Sequence, residues 1–152
     1  MRIGRNALHY AKFIGFLAVV TLIWLTAKKA SEPPHYSSGK PKITGAFVDG
    51  KAEGTWTWWY ENGNKMTVGN FVNGKRSGVW NTWYADGSKK SESVYAEDKL
   101  NGRYVQWYEN GKQKETGNYV NDKREGLYRY FDTAGILLKE KNYKAGIPES
   151  NN

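Results

Sequence analysis

The chain repeats itself every 24 residues without an insertion. Successive units begin at Gly45, Gly69, Ser93 and Gly117, and a partial fifth begins at Lys141. The third residue of each unit is aromatic: Phe47, Phe71, Tyr95, Tyr119, Tyr143. The seventh is Lys51, Lys75, Lys99 or Lys123, and the tenth is Gly54, Gly78, Gly102 or Gly126. Rings return at the twelfth place (Trp56, Trp80, Tyr104, Tyr128) and the fifteenth (Trp59, Trp83, Trp107, Phe131). The nineteenth is Gly63, Gly87, Gly111 or Gly135. A period of this length means one small supersecondary unit, unable to bury its own surface, stacked on copies of itself.

Each column has a mechanical reading. Asn62-Gly63, Asp86-Gly87 and Asn110-Gly111 are hairpin-turn dipeptides, because both residues tolerate φ > 0. Asp49-Gly50 and Asn73-Gly74 mark the second turn of a unit. Between turns lie short runs rich in Trp, Tyr, Phe, Thr and Val, which suit strands. The pattern predicts a β-meander of nine strands. The first is Ile43 to Val48, the second and third span roughly 55–60 and 66–72, and the last lies near Ile136 to Tyr143. At about 4.8 Å per strand the sheet extends about 40 Å. Prolines fall only before the first strand and after the last, at Pro148, where they blunt the edges. The twelfth and fifteenth residues, three apart, point to opposite faces of a flat strand. Either both faces carry rings or a bulge turns them the same way.

The repeated G-x-W/Y-x-x-W-Y-x-N/D-G followed by G-x-F/Y-V-N-G-K resembles the MORN repeat in its bacterial variant form, over residues 43–147. Ser93 departs from it at the first Gly, Asp98 and Asp122 at the turn Gly, and Asp132 at the Tyr of the W-Y pair. The fourth unit is degenerate at Thr133-Ala134, as terminal units are. The resemblance implies an all-β repeat, an elongated and curved antiparallel β-meander of MORN-type hairpins. It implies no catalytic activity. It implies a scaffold for proteins or membranes, and some bacterial members are proposed antitoxins of toxin–antitoxin pairs.

Ahead of the repeats, Phe13 to Ala27 is apolar and bounded by Lys12 and Lys28-Lys29. It predicts one N-terminal apolar helix, serving as a signal-anchor or as a signal peptide cut after Ala27. Residues 1–27 are then the targeting segment, 28–42 a Pro/Ser-rich linker, 43–148 the repeats and 149–152 a tail. Residues 1–44 carry seven basic side chains against Glu32 alone, so most of the net charge of +8 flanks the apolar segment. That distribution argues against nucleic acid and for a membrane-anchored, exported (periplasmic) domain, or a secreted one if the segment is cut.

The repeats contain neither His nor Cys, and the chain has no Cys at all. The usual base, thiol nucleophile and soft metal ligands are missing, so the expectation is a binding protein without catalytic residues, metal or cofactor. Asp49, Glu53, Glu61, Asp86, Glu109 and Asp122 sit beside turns and read as turn chemistry. Trp56 and Trp59 belong to repeated columns and read as scaffold. Trp58 does not: its column is Trp58, Thr82, Gln106, Tyr130, so the fold does not require a ring there. By alternation Trp58 shares a face with Trp56 and Tyr60. With Tyr60, Tyr84, Tyr108, Gln106 and Tyr130 it forms the candidate partner surface. Lys51, Lys75, Lys99 and Lys123 form a ladder suited to anionic lipid or an acidic partner. The expected role is a protein-interaction module of immunity or antitoxin type with a toxin-like partner. The alternative is an envelope scaffold for anionic lipid, peptidoglycan or polysaccharide.

Overall fold

The computed structural model describes residues 34–150. The expected apolar helix at Phe13 to Ala27 lies outside the described residues. Among those residues no helix is long and apolar enough to cross a membrane.

The repeats form one open, curved sheet of antiparallel strands in sequence order. These are β1 (Ile43–Val48), β2 (Lys51–Trp59), β3 (Lys65–Val72), β4 (Lys75–Trp83), β5 (Lys89–Ala96), β6 (Lys99–Trp107), β7 (Gln113–Val120), β8 (Lys123–Phe131), β9 (Leu137–Lys144) and β10 (Ile147–Pro148). The sequence predicts nine strands, and the described residues form ten. Pro148 is not beyond the sheet but in β10, opposite Tyr143.

The glycine that opens a unit lets a ring lie directly on the backbone. A Cβ at Gly45, Gly69 or Gly117 would stand 2.2, 2.0 or 2.3 Å from the rings of Trp56, Trp80 and Tyr128. Third-place rings fill the gaps edge-on. Phe47–Trp56, Trp56–Phe71, Phe71–Trp80 and Trp80–Tyr95 meet at centroid distances of 4.9, 5.8, 5.1 and 5.8 Å. Tyr104–Tyr119, Tyr119–Tyr128 and Tyr128–Tyr143 continue at 5.6, 5.8 and 5.4 Å. Each such contact adds about 0.5–1.5 kcal/mol beyond burial. Among the described residues no ring pair joins Tyr95 to Tyr104. There Ser93 replaces the opening glycine and pairs with Tyr104 across β5 and β6, so Tyr104 lacks the bare backbone on which the other rings lie. The backbone registers the same fault: Gly102 has φ +133°, whereas Gly54, Gly78 and Gly126 have +70° or +71°.

Both faces carry rings. Thr44 pairs with Thr57 across β1 and β2. Both therefore point away from Gly45 and Trp56, yet Thr44 Oγ1 accepts the Trp59 Nε1–H at 3.1 Å. The fifteenth-place rings thus belong to the second face, which also buries Val105 completely. We call the face with Trp56, Trp80 and Tyr128 the ladder face.

The two turn rows differ from each other. At Asn73-Gly74, φ is +52° and +80°, the pairing of signs a two-residue type I′ hairpin requires. At Asn62-Gly63 only the glycine has positive φ. Asn62 instead accepts the Asn64 N–H on Oδ1 at 2.9 Å, and the loop closes through Tyr60 N–H to Asn64 O at 2.8 Å.

Each two-residue turn is stitched to the unit before it. The N–H of Gly74, Asp98, Asp122 and Gly146 donates to the carbonyl of Ala52, Arg76, Leu100 and Arg124 at 2.9–3.1 Å. A carboxylate closes each joint by one of two routes. Glu53 and Glu125 accept the turn N–H of Asn73 and Ala145. At the other two joints Asp98 and Asp122 reach back to the N–H of Arg76 and Leu100. These routes explain the Asp-for-Gly departures: where the ninth residue is Ser77 or Asn101, the next turn supplies the carboxylate itself.

The Arg76 N–H and guanidinium hold the Asp98 carboxyl below its ordinary value of 3.8. A depressed folded value stabilises fully above the unfolded pKa, and that contribution disappears as pH falls through the folded one. Asp98→Asn keeps an acceptor and tolerates the positive φ but removes the charge. We expect it to lower Tm at pH 7 and to leave Tm unchanged at pH 2. An equal loss at both pH values, in thermal melts followed by circular dichroism, contradicts a charge-based stitch.

Candidate interaction surface

The residues expected to be linker are part of the repeat from Pro34 onward. His35 and Pro41 form a bridge, as Trp59 and Lys65 do in the next unit. The Trp59 N–H donates to Lys42 O at 2.9 Å. The Tyr36 hydroxyl donates to Trp59 O at 2.8 Å. Tyr36 and Gly39 stand 24 residues before Tyr60 and Gly63. The prolines and serines around them disguise the match.

Tyr36 also reveals what its column does. Tyr60, Tyr84 and Tyr108 donate their hydroxyls to Trp83, Trp107 and Phe131 carbonyls at 2.9, 2.8 and 2.9 Å. Each tyrosine bonds one unit to the next. The grouping of Tyr60, Tyr84 and Tyr108 with Trp58 did not foresee this role: their hydroxyls are committed to the scaffold, at the turn end of the sheet. In the fourth unit, beyond which no full unit follows among the described residues, the matching residue is Asp132. Its carboxylate instead accepts the N–H of Ala134 and Ile136 in its own turn.

Trp58 does lie on the ladder face. Its ring is 6.1 Å from Trp56, 6.3 Å from Phe71 and 5.7 Å from Trp80, tilted against each rather than stacked edge-on. It is half-buried, whereas Trp80 beside it is buried. Cross-strand pairing continues the row through Thr67, Thr82, Ser91, Gln106, Glu115, Tyr130 and Lys139. Gln106 and Tyr130 therefore share the Trp58 row, as expected, but at its far end.

That far end has a chemistry the sequence reading missed. Arg124 places its guanidinium 5.1 Å over Tyr128 and 5.5 Å over Tyr143, and 3.9 Å from Glu115. Burial, reinforced by Glu115, pushes the Tyr104 hydroxyl up to about 12. Burial pushes Tyr130 up to about 12 as well, and its hydrogen bond to Tyr143 (3.1 Å) holds Tyr143 down. The ladder face thus has two halves, divided at Ser93: indole and phenyl before it, tyrosine with Arg124 and Glu115 after it. Among the described residues the Tyr128 hydroxyl is buried with no partner in hydrogen-bond geometry, so Tyr128→Phe is expected to leave stability unchanged or raise it by about 1–3 kcal/mol. A loss of Tm contradicts this.

Lys51, Lys75, Lys99 and Lys123 are exposed at the two-residue turns. Lys75 is engaged with Glu97 at 2.6 Å, so the ladder is not uniformly available to an anion.

The sequence model of the MORN repeat variant matches residues 52–73, 100–121 and 124–145. The chain is a MORN-repeat protein. The matched segments of this MORN chain start 48 and 24 residues apart, multiples of its period. The intervening 76–97 is in phase with them and folds the same way, as β4 and β5. No curated protein matches the chain significantly.

Proposed function

We propose that this MORN-repeat protein is a non-catalytic binding module whose contact surface centres on Trp58, and that its partner is a protein. One observation carries the reading: Trp58 is a large ring that the repeat does not need, half-exposed on a face that no second layer covers among the described residues. Indoles in such settings dominate protein interfaces. The apolar Phe13 to Ala27 segment supports an exported, membrane-anchored form. An immunity or antitoxin role, with an envelope-acting toxin as partner, fits that setting and the family resemblance.

The test is co-purification of the full-length chain from membranes. A stoichiometric protein partner is expected, and Trp58→Ala should weaken its binding about 30-fold or more, as truncating an interface hot spot does. Unchanged circular dichroism would show that the sheet survives. Retained binding by the variant removes Trp58 from the site.

A second reading rests on the exposure of Lys51, Lys99 and Lys123 along one turn row. It makes the domain an envelope scaffold holding anionic lipid, peptidoglycan or polysaccharide. Salt-sensitive binding to vesicles containing phosphatidylglycerol, undiminished by Trp58→Ala, would favour it.

A further inference from the structure

β9 is the last long strand among the described residues, and most of its outer side is unpaired there. Beyond β8 it pairs, among the described residues, only through Tyr143 and Lys144 with β10. Glu149 N–H adds one bond to Asn142 O at 2.9 Å. The equivalent part of β5 is paired on both sides: Ser91 and Glu92, which correspond to Lys139 and Glu140, face Gln106 and Val105 in β6. The stretch from Leu137 to Lys141 therefore presents an unused row of backbone donors and acceptors, a ready template for another strand.

The side chains agree with the backbone. Ile136, Leu137 and Leu138 are 64, 47 and 63% exposed. Earlier units carry Asn64-Lys65-Met66, Ser88-Lys89-Lys90 and Lys112-Gln113-Lys114 at these places. Met66 apart, these places are polar in the earlier units; the fourth unit alone fills all three with apolar residues, and no further full unit covers them among the described residues.

Charge selects the occupant. A second copy paired antiparallel along the whole stretch from Leu137 to Lys141 would set Lys139 against Lys139. Like charges directly opposite are destabilising. Lys139 and Lys141 share the ladder face with their partners Tyr130 and Tyr128. Neither is in an ion pair among the described residues. Glu140, on the other face, is already bonded to Arg129 at 2.6 Å.

We infer that the β9 edge is a β-augmentation site for an extended acidic segment of another protein. Main-chain bonds add it as a further strand along Leu137 to Lys141. Its alternate carboxylates reach Lys139 and Lys141, and its intervening apolar residues cover Ile136 and Leu138. This site is separate from Trp58 and stands without it.

The probe is an acetylated eight-residue peptide alternating Glu and Val, with a Lys/Val peptide as control, added to the full-length chain. Hydrogen exchange should slow about tenfold or more at the amides of residues 137–141 with the acidic peptide and not with the basic one. Lys139→Glu combined with Lys141→Glu should weaken binding by about tenfold or more, and Trp58→Ala should not. Three results would overturn the inference: no protection at 137–141, equal binding of both peptides, or a dimer in sedimentation that protects 137–141 without peptide, which makes a second copy the occupant.

Discussion

Gly69→Ala should unfold more of this protein than any other single-methyl addition. The new Cβ would sit 2.0 Å from Trp80, a ring that is 7% exposed and wedged between Phe71 and Tyr95. Backbone lies on one side and rings on the other, so neither yields cheaply. Overpacking of a tight site costs about 1–3 kcal/mol. The two edge-on contacts that Trp80 then loses add about 1–3 kcal/mol. A total near 4 kcal/mol is a large share of the 5–15 kcal/mol typical of a domain. Urea melts of Gly69→Ala give the number, and a change below about 1 kcal/mol would contradict ring-on-glycine packing. Gly69→Ser writes into the second unit what Ser93 is in the third, and its tryptophan emission should shift to the red as Trp80 is displaced.

The second large effect comes from the tyrosine column. Changing Tyr60, Tyr84 and Tyr108 together to Phe keeps every ring and removes only three hydroxyls. Each strands a backbone carbonyl in a partly buried setting, at about 1 kcal/mol or somewhat more. The triple change should therefore cost about 3–5 kcal/mol, close to additive because the sites lie one unit apart. It should leave the affinity of still-folded protein for its partner unchanged. Weakened binding at unchanged Tm would return these tyrosines to the contact surface.

These two cases show what could be read from residues alone. Period, ring columns and strand order were all legible, and β1 was placed at both ends, because steric demands recur with the period. The role of the tyrosine hydroxyls was not. A Tyr on a strand looks the same whether its hydroxyl meets solvent, a partner or a carbonyl in the next unit. The clue was Asp132, standing where Tyr would stand, in the one unit with no full unit beyond it among the described residues. Residues 34–42 were misread because two matching positions, Tyr36 and Gly39, were outweighed by prolines that normally break strands. Arg124 was passed over since its column, Ala52, Arg76, Leu100 and Arg124, shows no pattern. Its importance comes from Tyr128, Tyr143 and Glu115, which only the folded register brings around it. Trp58 was found by the opposite logic, as a ring outside the pattern.

The two ways of closing a turn joint have a consequence for how such an array can grow. Each unit carries half of two connectors, a ninth residue facing forward and a sixth facing back. Copied in tandem, the unit with Gly50 and Glu53, or the one with Asp98 and Asn101, would meet itself with one carboxylate per junction. The unit with Gly74 and Ser77 would meet itself with none, and the one with Asp122 and Glu125 with two in mutual repulsion. Lengthening by duplication is thus open to half of the modules and closed to the others until a compensating substitution arrives.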